Sequence, residues 1–479
     1  MRDKFSAVYW SLINKFSPQL VNFIVTIVLS RYILPFDYGN LSIILAFISL
    51  LSLIVDFGFT DSLIKKQLNR SANQYYSIFW TQLSISIILF SIVYFSAYPI
   101  SVYFNSKALI VPLRLSASIL ILKGLYSIPH LLLLKELDFK KLSIVSFSTS
   151  FLSGIIAVYY AFNDFGLFAI IYRLIIANVL TLIAFYLSVN WRPKLIFSFN
   201  HLKNLFSFSS KVFIMRLLNV SYESLFNFIM ISSLGQVKMG YFNRADAFKK
   251  VASNSIDASI QMVTYSIFSM NTIKENKNDF IKIHRVILLT IIFIFTCLYG
   301  CAKEIILLTI GTQWVNTIPL LKAVSLIAAL IPLYNYYLTF VKTAGNINYV
   351  LKHEIFTKII LLLSAFSIVI LDNIQMTLII ISSLLFLSCF LLMRYITLNI
   401  LAISLISYVR QIKNGLFLLS FNFLLVYLID RLMLYSFLSL FAKIFLLAMS
   451  CIIFLKIYYK NDFNYYSKKI LELLSLKVK

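Results

Sequence analysis

The chain is a succession of strongly apolar runs, repeatedly 20 to 25 residues long, separated by short basic segments. A helix needs about 20 such residues to cross roughly 30 Å of hydrocarbon, where its backbone polar groups must bond within the helix. Of the 479 residues, 60% are hydrophobic and 13% charged, whereas ordinary soluble domains carry about 25% charged residues. A soluble domain of this length could not cover so much apolar surface, so lipid must be the solvent for much of it. Alternation of period two, the mark of a membrane barrel, is absent. The sequence therefore predicts an all-α, polytopic membrane protein.

Fourteen spans are expected, at 8–34, 39–63, 76–104, 109–134, 142–162, 166–190, 206–234, 240–271, 285–308, 316–341, 351–371, 374–397, 413–431 and 434–457. The first and eighth are amphipathic. With the N-terminus inside, the inward segments hold 28 Lys and Arg, and the outward ones hold five (Arg31, Lys107, Lys238, Lys303, Arg431). Cytoplasmic loops collect Lys and Arg, so this bias predicts that both termini are cytoplasmic. Two spans more or fewer would not alter the bias, which leaves twelve open. The net charge of +25 sits in these short loops and does not point to nucleic acid. Arg2 and Lys4 lead into the first span with no small-residue cleavage site, so no removable signal is expected. Cys297, Cys301, Cys389 and Cys451 lie in apolar runs with no histidine or second thiol pair to complete a metal site. Neither metal nor cofactor is expected.

The sequence also predicts an internal duplication, with coincidence in an apolar, low-complexity sequence as the alternative reading. A shift of 201 places Lys15 on Arg216, Asn22 on Glu223, Gly39 on Gly240 and Asp56 on Asp257. A shift of 203 places Pro129 on Pro332. Six spans per half preserve orientation, so the halves form a parallel repeat, the kind between whose members transporters bind substrate. The expected organisation is a first lobe at 1–197 (spans 1–6), a second at 198–410 (spans 7–12), and spans 13–14 with a cytoplasmic tail at 411–479.

Spans 1 and 7 carry matching polar stripes: Ser11, Lys15, Pro18, Asn22 and Thr26 in one, Arg216, Asn219, Glu223 and Asn227 in the other. A charge at mid-membrane costs at least about 2.5–3.5 kcal/mol, so such stripes should face a hydrated cavity or a partner. Snorkelling to the interface is the other reading for Lys15 and Arg216, which lie nearer the ends of their spans. Span 8 is the most polar, with Asn243, Asp246, Lys250, Asp257 and Gln261 on one stripe and Arg244 and Lys249 at its outer end. A helix lying on the bilayer surface is the alternative there, although the loop charges require a crossing. Arg114, Lys123, Arg173, Lys322 and Lys443 are further cations inside spans, whereas the deep acids are Asp56, Asp61, Glu223 and Asp257. Excess positive charge in a cavity would attract phosphates, and the arginine fork suits pyrophosphate oxygens. Pairwise salt bridges within the bundle are the alternative. Walker, HExxH and GxSxG motifs are absent, and no outward loop exceeds about 15 residues. Enzymatic activity is not expected.

Three segments resemble one family. The run "LSRYILPFDYGNLSIILAFISLLSLIVDFGFTDSLIKK" (29–66) is similar to the opening signature of the polysaccharide exporters, the O-antigen (Wzx-type) flippases. "GYFNRADAF" (240–248) resembles that family's start of span 8, and "LLLLKELDFKKLSI" (131–144) its connection between spans 4 and 5. Their order and spacing extend the resemblance over essentially the whole chain. The resemblance implies the superfamily that includes multidrug pumps and the peptidoglycan-precursor flippase, with two lobes around a cleft that opens to alternate sides. It implies a flippase that moves undecaprenyl-pyrophosphate-linked oligosaccharide, an O-antigen, capsule or exopolysaccharide unit, across the bacterial inner membrane. It also implies that the pyrophosphate meets Lys15, Arg31, Arg216 and Arg244, with Arg114, Lys123 and Arg173 as further cations. Asn22, Asp56, Glu223, Asn227 and Asp257 are the expected polar or coupling groups of the cavity. The expected partners are the lipid-linked substrate, the bilayer and a polysaccharide polymerase, with no nucleic acid. A lipid II-type or multidrug exporter is the nearest alternative, and a membrane enzyme of polysaccharide assembly the more distant one.

Overall fold

The computed structural model describes residues 2–65, 72–270, 273–404, 414–432 and 436–458. Of the expected topogenic charges, Lys66, Arg70, Arg410, Lys413 and the lysines beyond Tyr458 lie outside these residues. Helix follows helix, and no strand occurs among the described residues. The helices are α1 (Arg2–Tyr32), α2 (Pro35–Asp56), α3 (Phe59–Lys65), α4 (Ala72–Tyr103), α5 (Ile110–Lys135), α6 (Phe139–Phe162), α7 (Leu167–Ser188) and α8 (Phe199–Met270). There follow α9 (Ile273–Gly300), α10 (Ala302–Thr309), α11 (Ile318–Thr343), α12 (Ile347–Ala365), α13 (Ser367–Leu371), α14 (Ile374–Tyr395), α15 (Asn414–Arg431) and α16 (Ser436–Tyr458).

Local chemistry sets the ends of these helices. Pro35 opens α2 after an extended Leu34, the position where a missing N–H costs nothing. Asp138 caps α6 by accepting from the Lys141 N–H, and Asn373 caps α14 by accepting from the N–H groups of Gln375 and Met376. The second expected span is broken: Phe57 and Gly58 both take left-handed conformations, with φ of 45° and 73°, and separate α2 from α3. Gly235, with φ 76° and ψ 174°, divides α8 into two arms that match expected spans 7 and 8. That backbone conformation is open to glycine and closed to ordinary L-residues.

Ten helical segments among the described residues are long and apolar enough to cross a membrane. The remaining expected spans, the first, seventh, eighth and thirteenth, fall on α1, the two arms of α8 and α15. Large apolar side chains point outward along the spans, Leu187 at 81% exposure and Ile370 at 84%. Lipid is the solvent that makes such exposure favourable.

Contacts divide the chain into two compact units, Met1–Asn243 and Arg244–Lys479. The expected repeat boundary lies earlier, at 197/198, because the first arm of α8 packs along α2 and so joins the first unit. In that unit α1 packs on α6, α4 on α5, α5 and α6 on α7, and α2 on α5. Phe59, Leu63, Tyr75, Phe79, Ile128 and Leu131 form one of its cores. In the second unit α11 is flanked by α9 and α14, while α15 and α16 pair with each other and with α9.

Candidate substrate-handling site

Within the first unit, α2 and the first arm of α8 run antiparallel in contact. Ser49 and Ser224 hydroxyls meet at 3.3 Å, Phe47 and Phe228 rings at 4.9 Å, and Ser62 and Ser209 hydroxyls at 2.8 Å. Phe57 stacks on Phe206 and Phe213. The seam carries one ion cluster. Arg216 reaches Asp56 through Nη1 at 2.9 Å and Asp61 through Nη2 at 2.6 Å, and Thr60 Oγ1 donates to the other Asp56 oxygen at 2.5 Å. Asp56 and Asp61 are five residues apart, so a continuous helix would point them away from each other. The left-handed break at Phe57–Gly58 turns α3 and lets both carboxylates face one guanidinium. The cluster is open to its surroundings, with Arg216 44% exposed and the two carboxylates 25% and 34%.

Lys123, Arg173 and Arg114 are met by neutral oxygens. Lys123 on α5 donates to Ser52 on α2 at 2.9 Å, one turn before Asp56, and Arg173 on α7 donates to Asn22 on α1. Lys15, Asn22 and Glu223 are exposed, and Asn227 is half-buried. Arg114 is placed apart from the seam, bonded to the Tyr94 carbonyl and lying over the Tyr94 ring at 4.7 Å. Arg31 is exposed in the last turn of α1. The structure thus brings Arg216 together with Asp56, and Arg173 with Asn22. It does not gather all the expected cations of this unit at one point.

The second unit holds its own polar groups. Asp257, on the second arm of α8, accepts from Asn335 Nδ2 on α11 at 3.0 Å and from Gln261 Nε2 at 3.4 Å. Thr339 donates to Gln261 Oε1 at 2.6 Å. Arg244 is buried, and Asp246 is paired with Lys249 and Lys250. Lys443, read from sequence as an isolated cation, is fully enclosed between Glu304 at 2.7 Å and Asp430 at 2.6 Å. Sequence reasoning missed Ser52, Asn335, Thr339 and Glu304 as partners. A hydroxyl, an amide or an acid near a span end is unremarkable until a distant charge is found beside it.

A family model for polysaccharide biosynthesis proteins matches residues 28–319. This chain belongs to that family. It is 21% identical over 346 residues to the succinoglycan biosynthesis transport protein ExoT of Rhizobium meliloti (strain 1021), covering 71% of this chain and 69% of that one. The teichuronic acid biosynthesis protein TuaB of Bacillus subtilis (strain 168) is 21% identical over 289 residues, which is 59% of each chain. Among solved structures, the lipid II flippase MurJ in an inward closed conformation superposes with a TM-score of 0.70 at 16% identity, over 95% of this chain and 99% of that one. An inward-facing multidrug resistance transporter of the MATE family gives 0.65 at 13% identity, over 82% and 98%. At such identities the structural likeness speaks for the fold. With the family it makes the protein an exporter of polysaccharide biosynthesis built on the flippase and multidrug-exporter fold.

Proposed function

We propose that the protein is a flippase that carries undecaprenyl-pyrophosphate-linked oligosaccharide across the bacterial inner membrane by alternating access, without changing it chemically. The observation that carries this reading is the set of cations inside the spans of an exporter of this family. In the first unit Lys15, Lys123, Arg173 and Arg216 stand on four different helices, with Lys123 bonded to a hydroxyl, Arg173 to an amide oxygen and Arg216 to two carboxylates. Pyrophosphate bears charge and a glycan bears hydroxyls, so neither crosses hydrocarbon unaided. The lipid tail can stay in the bilayer while the head group passes beside polar side chains. Lys123, held by a neutral hydroxyl, offers a compact charge, and Arg216 offers a fork already sized to two oxygen acceptors. With both termini cytoplasmic and all fourteen spans crossing, the Arg216 cluster falls in the cytoplasmic third, where a head group made inside the cell would enter.

Deletion of the gene should abolish surface polysaccharide while lipid-linked units still form and stay inaccessible to a glycan-cleaving enzyme added outside. If lipid-linked units fail to form at all, the protein acts in synthesis and the flippase reading is wrong. If they are cleaved from outside as before, export proceeds without it.

A further inference from the structure

At the far end of the same unit, the first turns of α2 lie against residues 236–243 of α8, and the chains meet backbone to backbone. A Cβ on Gly39 would sit 2.0 Å from the Gln236 carbonyl oxygen, and a Cβ on Gly240 would sit 1.8 Å from the Pro35 carbonyl oxygen. Asn243 Nδ2 donates to Ser42 Oγ at 2.8 Å. Adding 201 to Pro35, Gly39 and Ser42 gives Gln236, Gly240 and Asn243. Each contact therefore maps onto its reciprocal or onto itself under the internal repeat. That is the pattern of a self-complementary two-fold interface, here made by two copies of one motif within a single chain.

Two glycines at this place have a physical cause. Glycine inside a helix is less favourable than alanine. Here it permits the helix starts to approach until Cα–H groups touch carbonyl oxygens, a close approach that helices in lipid exploit. Any side chain would force the two backbones apart by more than an ångström. The contact lies at the α1–α2 turn, which the loop charges place on the outer face.

We propose that Gly39 and Gly240 form a two-fold latch that holds the outer mouth of the transporter shut, and that the latch must part in each transport cycle. This rests on the flippase reading, since only a transporter has a mouth to open. It predicts equal effects from the two glycines, because each side of the latch is the other's mirror. It also predicts that changing both does little more than changing one, because either side chain already separates the same surfaces.

The test uses the full chain with its native cysteines replaced. Ser42→Cys with Asn243→Cys should cross-link under mild oxidation in membranes and stop surface-polysaccharide export, and reductant should restore it. Cross-linking with undiminished export, or no cross-link at all, overturns the latch. Gly39→Ala and Gly240→Ala should each lower the cross-link yield several-fold. Each should also open Ser224→Cys, buried further along the seam, to a membrane-impermeant thiol reagent added outside. Unchanged yield and unchanged protection in both variants overturn the proposal. Should the alanine variants not accumulate, the cysteine pair on the glycine-intact chain decides alone. If cross-linking and labelling behave as expected while deletion leaves lipid-linked units exported, the cargo reading fails and the latch stands.

Discussion

Among the described residues, each compact unit holds a cation gripped by two carboxylates, and the two cations sit in opposite environments. In the second unit Lys443 is 1% exposed and Glu304 8%, with the Gly300 carbonyl at 3.1 Å and Ser439 donating to Glu304 at 3.1 Å, while Asp430 is 54% exposed. In the first unit Arg216 is 44% exposed and its acids are half-buried, at 25% and 34%. The same charges therefore do different work. The buried Lys443–Glu304 pair cannot part without stranding a charge in low dielectric, so it fixes structure, while Asp430 closes it from the exposed side. It pins α10 to the α15–α16 hairpin, which also packs through Leu289, Ile292, Leu418 and Phe454. A half-open triad loses little when a partner leaves, so its arginine can be handed to a passing anion.

The largest effect is expected at the closed cluster. Lys443→Met leaves Glu304 buried and unpaired, and breaking such a pair costs about 3–5 kcal/mol. The thermal midpoint in detergent should fall and the protein should be lost from membranes. Lys443→Met combined with Glu304→Leu removes both buried charges and should recover most of the lost stability. If the single variant melts like the parent, the buried pair is not the staple of the C-terminal hairpin.

At the open cluster, stability and export should part company. Arg216→Gln is expected to shift the melting midpoint little, because exposed pairs contribute about 0–1 kcal/mol. It should nonetheless reduce surface polysaccharide at least about tenfold if Arg216 supplies transition-state binding of the head group. Arg216→Lys should keep part of the activity, since the charge survives while the fork is lost. Adding Asp56→Asn and Asp61→Asn to Arg216→Gln relieves the repulsion between the two acids and should not restore export. If that triple variant exports normally, Arg216 serves only to close the seam.

The contrast between the clusters shows what the sequence could and could not disclose. Helical class, membrane solvent and most span positions follow from the apolar runs, because run length against bilayer thickness is a local property. The 201-residue spacing was read from the sequence, and the contacts of Gly39 with Gln236 and of Gly240 with Pro35 follow it. Burial was not legible. Lys443 and Arg216 look alike as lone cations in apolar runs, and although Asp430 is 13 residues from Lys443, Glu304 lies 139 residues from it and Asp56 160 from Arg216. The break at Phe57–Gly58 was hidden too, because the apolar run continues through it. That break is why Asp61 joins Arg216, since on one continuous helix over 39–63 the two acids would lie on different faces.

The smallest expected effect concerns the acids that the repeat makes equivalent. Asp56 and Asp257 are 201 residues apart, yet Asp56 meets a guanidinium while Asp257 accepts from the amides of Asn335 and Gln261. The cause is local: the first half breaks its helix at Gly58, whereas Ser259, the matching residue of the second half, continues a helix. Asp56→Asn leaves Arg216 its contact with Asp61 and keeps an oxygen for Thr60, so its loss should stay within about 0–1 kcal/mol. High salt should shrink that loss further, since the pair is open and its charges are screened. Asp257→Asn presents an NH2 group to one of two amide donors. That donor loses its acceptor, a loss of about 0.6 and at most about 1.7 kcal/mol for hydrogen bonds inside membranes, and one that salt cannot screen. Melting curves in low and high salt should therefore rank Asp257→Asn at or above Asp56→Asn, with only the latter responding to salt. Equal salt dependence would mean that the two repeat mates are alike in energy, and that the break at Phe57–Gly58 positions Asp61 without altering how Asp56 is held.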